Sequence, residues 1–227
     1  MISALNWPRA DDTPPPGAFT PRERRLIGRL RTPGAVQAFL NALRYNHAPT
    51  LRSFRGVMRH QEAHCLEAAI TAAVILEQHG FPPLVMSLES IDELDHVIFV
   101  YRARTGWGAV ARSRDPGLHG RQPRFPTLRA LAVSYFDPFV DLTGCLRAYG
   151  AVDLRVLGRY DWRLSARNVW KLERLLYDIP HAPVPSPARR VDRLRARYVQ
   201  FRQEHPGQRP VYYDRSRWTK LPVKSQG

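Results

Sequence analysis

A chain of 227 residues with 44% hydrophobic content lies within the range of one folded domain with a real core, which excludes disorder throughout. Lys and Arg outnumber Asp and Glu by 35 to 20, giving a net charge of +15; such a charge favours encounter with acidic partners and says nothing about fold. No run approaches the roughly 18 apolar residues of a membrane span, and the N-terminus lacks the basic-then-apolar order of a secretory leader, so a cytoplasmic location is expected.

The opening residues carry Asp11-Asp12 and then Pro14-Pro15-Pro16-Gly17, a composition that cannot sustain a helix, and residues 1–18 are expected to form a flexible lead-in. Thr20-Pro21-Arg22-Glu23 then combines an N-cap, Pro at the first helical position and a capping-box Glu, which predicts a short helix to about Leu30. Thr32-Pro33 repeats the start signal. Val36, Phe39, Leu40 and Leu43 follow at i, i+3, i+4 and i+7, predicting a second amphipathic helix.

After an Arg- and His-rich loop, the segment from Glu62 to His79 carries Leu66, Ala69, Ile70, Ala73 and Leu76 at helical spacing, stopped by Gly80. Its alanines allow close approach of neighbouring backbone, as expected of a helix packed centrally on a sheet. Strands are predicted over Pro83–Leu88, His96–Tyr101 and Trp107–Ala111, the last two joined as a hairpin through Arg102–Gly106. Helices are predicted over Thr127–Tyr135 and over Ser165–Tyr177, the latter with Ser165 as N-cap. Prolines 180, 183, 185 and 187 break the chain, and a basic amphipathic helix follows around Val191, Leu194, Tyr198 and Phe201. The pattern is α+β, with a domain over 19–180 and a Pro-rich linker, basic helix and irregular tail over 181–227.

Cys65 falls in the first turn or so of the central helix, where unpaired N–H groups and the helix dipole favour an anion and lower a thiol pKa. His96 opens an apolar strand at a loop-to-sheet junction, where an imidazole can serve as base toward Cys65. A hairpin centred on Ala103–Thr105 pairs residues whose numbers sum to about 208 or 209. His96 is then opposite Arg112 or Ser113, so Ser113, or Asp115 two residues on, is the candidate to orient the imidazole. Cys145 has no nearby His in sequence and reads as an ordinary thiol; Trp107, Trp162 and Trp170 read as core.

The order of Ala63-His64-Cys65-Leu66-Glu67-Ala68-Ala69, then Asp95-His96-Val97-Ile98-Phe99-Val100-Tyr101, then Gly106-Trp107-Gly108-Ala109-Val110 resembles the transglutaminase-like superfamily, related in core to papain-like cysteine proteases. It looks most like a bacterial branch, over about Leu51 to Asp153. The resemblance implies a Cys-bearing helix on a small antiparallel sheet flanked by helices, and a thiol nucleophile acting without a cofactor on a peptide or amide. It also implies that the Cys65 N–H is an oxyanion donor, with Gln61 and Trp107 as candidates for the second. The superfamily's third residue is usually an Asp just after the Gly-Trp strand. Val110-Ala111-Arg112-Ser113 has no carboxylate there, which leaves Ser113 and Asp115 as alternatives.

Three rival readings remain. A catalytically degenerate member of the same fold would bind a partner. Arg22, Arg24, Arg25, Arg29 and Arg31, with the stripe Arg189, Arg190, Arg193, Arg197 and Arg202, could neutralise nucleic-acid phosphates, although no helix-turn-helix, zinc-finger or aromatic RNA-binding signature accompanies them. His60 and His64, four apart, share a helical face as metal ligands can, with Glu62 or Cys65 beside them; but His60-Gln61-Glu62-Ala63-His64 is not HExxH and four ligands are not evident, so no metal is expected.

Overall fold

A computed structural model describes residues 13–208. Most of the expected flexible lead-in and nearly all of the expected irregular tail lie outside the described residues. Thr20 caps α1 (Pro21–Arg29) as its sequence dictates: its hydroxyl accepts the Glu23 N–H, and the Glu23 carboxylate accepts the Thr20 N–H at 2.7 Å. Thr32 does the same for α2 (Pro33–Ala42), accepting the Ala35 N–H. Ser53 caps the short α3 (Phe54–His60), which ends on Gln61 in the left-handed region, φ 55°. That turn leads into α4 (Cys65–Glu77), in which every residue from Leu66 to Glu77 is buried. Each large aliphatic side chain on it, such as Ile70 or Leu76, contributes about 1.5–3 kcal/mol by leaving water.

Six antiparallel strands form one sheet in the order β4-β3-β2-β1-β5-β6: β1 is Leu84–Ser90, β2 His96–Ala103, β3 Gly106–Val110, β4 Arg121–Phe125, β5 Leu146–Asp153 and β6 Ala182–Pro183. The fold is therefore α+β. Its sheet is larger than expected, because β4, β5 and β6 add three strands to the three read from sequence. Alternation along β2 divides the core in two. Val97, Phe99 and Tyr101 join α4 and the N-terminal helices on one face. Ile98 and Val100 join the opposite face, where Tyr135, Phe136, Val191 and Leu194 pack.

The β2–β3 ladder has Phe99 opposite Val110, the register summing to 209, but β3 ends at Val110, so the pairing stops three residues short of His96. Helix predictions later in the chain need correction. The segment 127–135 yields α5 (Leu128–Val133) and a separate one-turn α6 (Phe136–Phe139). Ser165 caps no helix: its hydroxyl closes a local turn by accepting the Arg167 N–H, and α7 begins at Trp170 and runs to Asp178. Trp170 is 43% exposed and so is not core, whereas Trp162 is fully buried. The basic helix is α8 (Ala188–Glu204). Part of its Arg stripe turns back to the fold, since Arg190 pairs with Asp137 and lies over the Phe136 ring. No described helix is long and apolar enough to cross a membrane.

Candidate active site

Cys65 is the first residue of α4 and His96 the first of β2, and this common terminal position brings the two to the same rim of the domain. The first α4 backbone bond runs from the Ala68 N–H to the His64 carbonyl, so the N–H groups of Cys65, Leu66 and Glu67 lack intrahelical acceptors and point toward the rim. The segment before α4 is fixed by Arg44, whose N–H and carbonyl bond the Gln61 carbonyl and the Ala63 N–H.

Glu67, wholly buried, organises the loop that faces this helix end. Its carboxylate accepts the Asn46 amide (2.9 Å), the Thr50 hydroxyl (3.0 Å), the Arg52 N–H (2.8 Å) and the His64 N–H (3.1 Å). Four donors on one carboxylate satisfy a buried charge and tie residues 46–52 to the first turn of α4.

Two imidazoles reach the Cys65 thiol, His64 and His96. Both rings are oriented in the same way. His64 Nε2 lies 2.7 Å from the Thr50 carbonyl and His96 Nε2 lies 2.8 Å from the Leu118 carbonyl. A carbonyl only accepts, so each Nε2 carries the proton, and on His96 this leaves Nδ1 for the sulfur. His96 is almost completely buried, whereas Cys65 keeps partial exposure.

The electrostatics follow from this geometry. Burial opposes ionisation of Cys65, but hydrogen bonds from His64 and His96 and their positive charge outweigh it and hold the thiol well below its ordinary pKa. Burial likewise opposes protonation of His64, and the hydrogen bond to Cys65, the Cys65 charge and Glu67 overcome it, raising the imidazole. Each shift favours the charged form of its own group, the thiolate of Cys65 and the imidazolium of His64. Tyr45, beside Cys65, is pushed up to about 12 by burial and by the thiolate charge, so its phenol stays protonated and able to donate.

The thiol opens into a cleft of about 460 Å³ whose lining includes Tyr45, His96, Ser113, Asp115, Asp95 and Arg202. Ser113 and Asp115 are therefore at the site. The Ser113 hydroxyl, however, accepts the Asp115 N–H at 3.1 Å, and the group bonded to His96 Nε2 is the main-chain carbonyl of Leu118. The physical reason is the early end of β3: past Val110 the chain leaves the ladder, and the one-turn 3₁₀ helix Pro116–Leu118 brings its last carbonyl to the imidazole instead.

The two suggested second oxyanion donors stand differently. The Gln61 side-chain amide donates to the Met58 carbonyl at 2.7 Å. Trp107 is paired with Arg102 at the far end of the hairpin, about 20 Å along β2 from His96, and cannot serve. Three elements of the site escaped sequence reasoning. His64 enters the sequence reading as a metal ligand and as part of the Ala63–Ala69 motif, and its adjacency to Cys65 at a helix start is the signal for a role beside the thiol. Tyr45 and the Leu118 carbonyl carried no signal, because they are brought in from separate loops. Among the described residues, no group of three or more His, Cys, Asp or Glu is gathered as a metal ion would need.

No family model matches the sequence, and no curated protein matches it.

Proposed function

We propose that this chain is a cysteine-dependent acyltransferase or amide hydrolase with Cys65 as nucleophile and His96 as general base and acid. The observation that carries the proposal is a partly exposed thiol at a helix N-terminus, depressed in pKa by two imidazoles and opening into a cleft. Such a thiol is a nucleophile near neutral pH, whereas a structural cysteine is buried and inert. The order of Cys-helix, His-strand and Gly-Trp hairpin supports assigning the core to the transglutaminase-like superfamily as part of the same proposal.

In this reading the Cys65 thiolate attacks the carbonyl carbon of an amide or ester, and the oxyanion that forms is met by the Cys65 N–H and the Tyr45 phenol. The His96 Nδ1 proton passes to the departing nitrogen or oxygen as the C–N or C–O bond breaks, leaving a thioester. Water or an amine then loses a proton to Nδ1, attacks the thioester carbon and expels the thiolate. No step needs a cofactor. The Leu118 carbonyl holds the ring but brings no negative charge, unlike the carboxylate of a catalytic triad.

The test is the pH dependence of iodoacetamide labelling at Cys65 in the wild type and in His96→Ala. Rapid labelling well below pH 8 that depends on His96 is the expected result. An ordinary thiol profile, or one indifferent to His96, refutes the proposal.

A further inference from the structure

Between β3 and β4 the carbonyls of four consecutive residues converge on two side chains. Arg121 takes three of them: one guanidinium nitrogen donates to the His119 carbonyl at 2.6 Å and the Gly120 carbonyl at 3.2 Å, and another donates to the Gly117 carbonyl at 2.7 Å. The remaining carbonyl, that of Leu118, accepts from His96. Arg121 is fully buried, and its guanidinium carbon stands 3.9 Å from the centroid of the Tyr135 ring, whose hydroxyl also donates to the His119 carbonyl, at 3.1 Å. The Tyr135 ring is itself 6.2 Å from that of His96.

The loop is closed in from outside as well. A Cβ on Gly117 would come within 2.6 Å of Pro138, and one on Gly120 would meet the Gln37 amide oxygen and come within 2.6 Å of the Ala109 carbonyl. A buried guanidinium is costly to desolvate, and here both terminal nitrogens donate to main-chain oxygens of a single tight loop. That arrangement fixes where the one carbonyl it does not take will point.

We infer that Arg121, clamped on Tyr135, is the positioning residue of the site: it holds the 117–120 loop so that the Leu118 carbonyl fixes His96 as the Nε2–H tautomer with Nδ1 toward Cys65. The inference rests on the reading of Cys65 and His96 given above. A side chain thereby does indirectly, through a backbone oxygen, what a third-residue carboxylate does directly. The main-chain carbonyl offers no side chain to delete, so Arg121 is the point at which this arrangement is accessible to mutation.

The direct readout is the imidazole tautomer of His96 by long-range ¹H–¹⁵N NMR at pH 9. It is taken in a Cys65→Ala background so that the ring is neutral whatever the thiol does. The parent background should show one Nε2–H tautomer; Arg121→Met should show a mixture, and Arg121→Lys, which still donates to carbonyls, should restore most of the single form. In the Cys65 background, Arg121→Met should slow labelling at pH 6 by about tenfold or more, as loss of the partners that orient functional histidines does, with cooperative melting retained. Should Arg121→Met not fold, Tyr135→Phe removes one anchor of the same loop and must broaden or shift the His96 ring signals. An unchanged single tautomer in a folded Arg121 or Tyr135 variant overturns the inference. An inert thiol in a protein whose His96 tautomer responds to Arg121 refutes the proposed function and leaves this inference standing.

Discussion

Replacing His64 by Gln isolates one of the two charges on the thiol, because an amide can still donate to the Thr50 carbonyl but cannot become a cation. An ordinary cysteine with a pKa of about 8.5 is only about 0.3% thiolate at pH 6. An opposite charge within about 4–6 Å moves a neighbouring acid by about 1–3 units, so losing His64 should raise the Cys65 midpoint by about that amount. Thiolate nucleophilicity climbs with basicity at a slope of about 0.4–0.5, which recovers about half of the loss on a logarithmic scale. The net effect is a rate lower by about 3–30-fold on the acid side of both midpoints and higher by a similar factor above them. The two pH profiles must cross. The assay is the rate of reaction with an uncharged aromatic disulfide between pH 5 and 10, with thermal melting to show that the fold is kept. Superimposed profiles in a folded variant would refute the two-imidazole account of Cys65.

Arg163→Met breaks a buried bidentate pair in which the guanidinium donates to Glu77 at 2.7 and 2.9 Å. The stranded carboxylate should cost about 3–5 kcal/mol, seen in urea melts. Burial already raises the Glu77 pKa despite Arg163, and removing the cation raises it further. A raised carboxyl pKa favours the folded state below the unfolded value and penalises it as pH increases through the folded one, so the loss should be larger at pH 8 than at pH 5. A pH-independent loss would contradict that assignment. Glu67→Gln turns an acceptor of four bonds into a group with two donors of its own, and should cost about 2–4 kcal/mol while slowing Cys65 labelling through the freed 46–52 loop. A wild-type melting point and labelling rate would show that the loop is held by other contacts.

What the sequence displayed were features whose physics is local. The capping residues Thr20 and Thr32, the alanine-rich buried helix and the β2–β3 hairpin are each specified by residues a few positions apart, and the hairpin register follows from its turn. β5 is not legible in the sequence, for a physical reason. Leu146-Arg147-Ala148-Tyr149-Gly150-Ala151-Val152-Asp153 is poor in β-branched residues and lacks clean alternation, yet it is a strand because β1 pairs with it along its whole length. The failure at Ser165 has the opposite origin, a good local signal overridden by tertiary contact. The Val169 N–H donates to the Leu51 carbonyl and the Asn168 amide oxygen accepts the Leu51 N–H, which keeps the chain out of helix until Trp170. At the site, Cys65 and His96 sit at element starts that a sequence marks, whereas the Leu118 carbonyl and Tyr45 depend on loop paths that it does not.

The two open edges of the sheet are β4 and β6, and both carry proline, at Pro123 and Pro183. Proline lacks the N–H that a further strand would need, and edge strands that are short or interrupted in this way give a second sheet little to extend. With a net charge of +15 repelling like chains, the molecule is guarded against edge-to-edge self-association by backbone chemistry at close range and by charge at long range. A concentrated solution of this protein should therefore resist fibrillar aggregation even at high salt, where only the proline guard still operates.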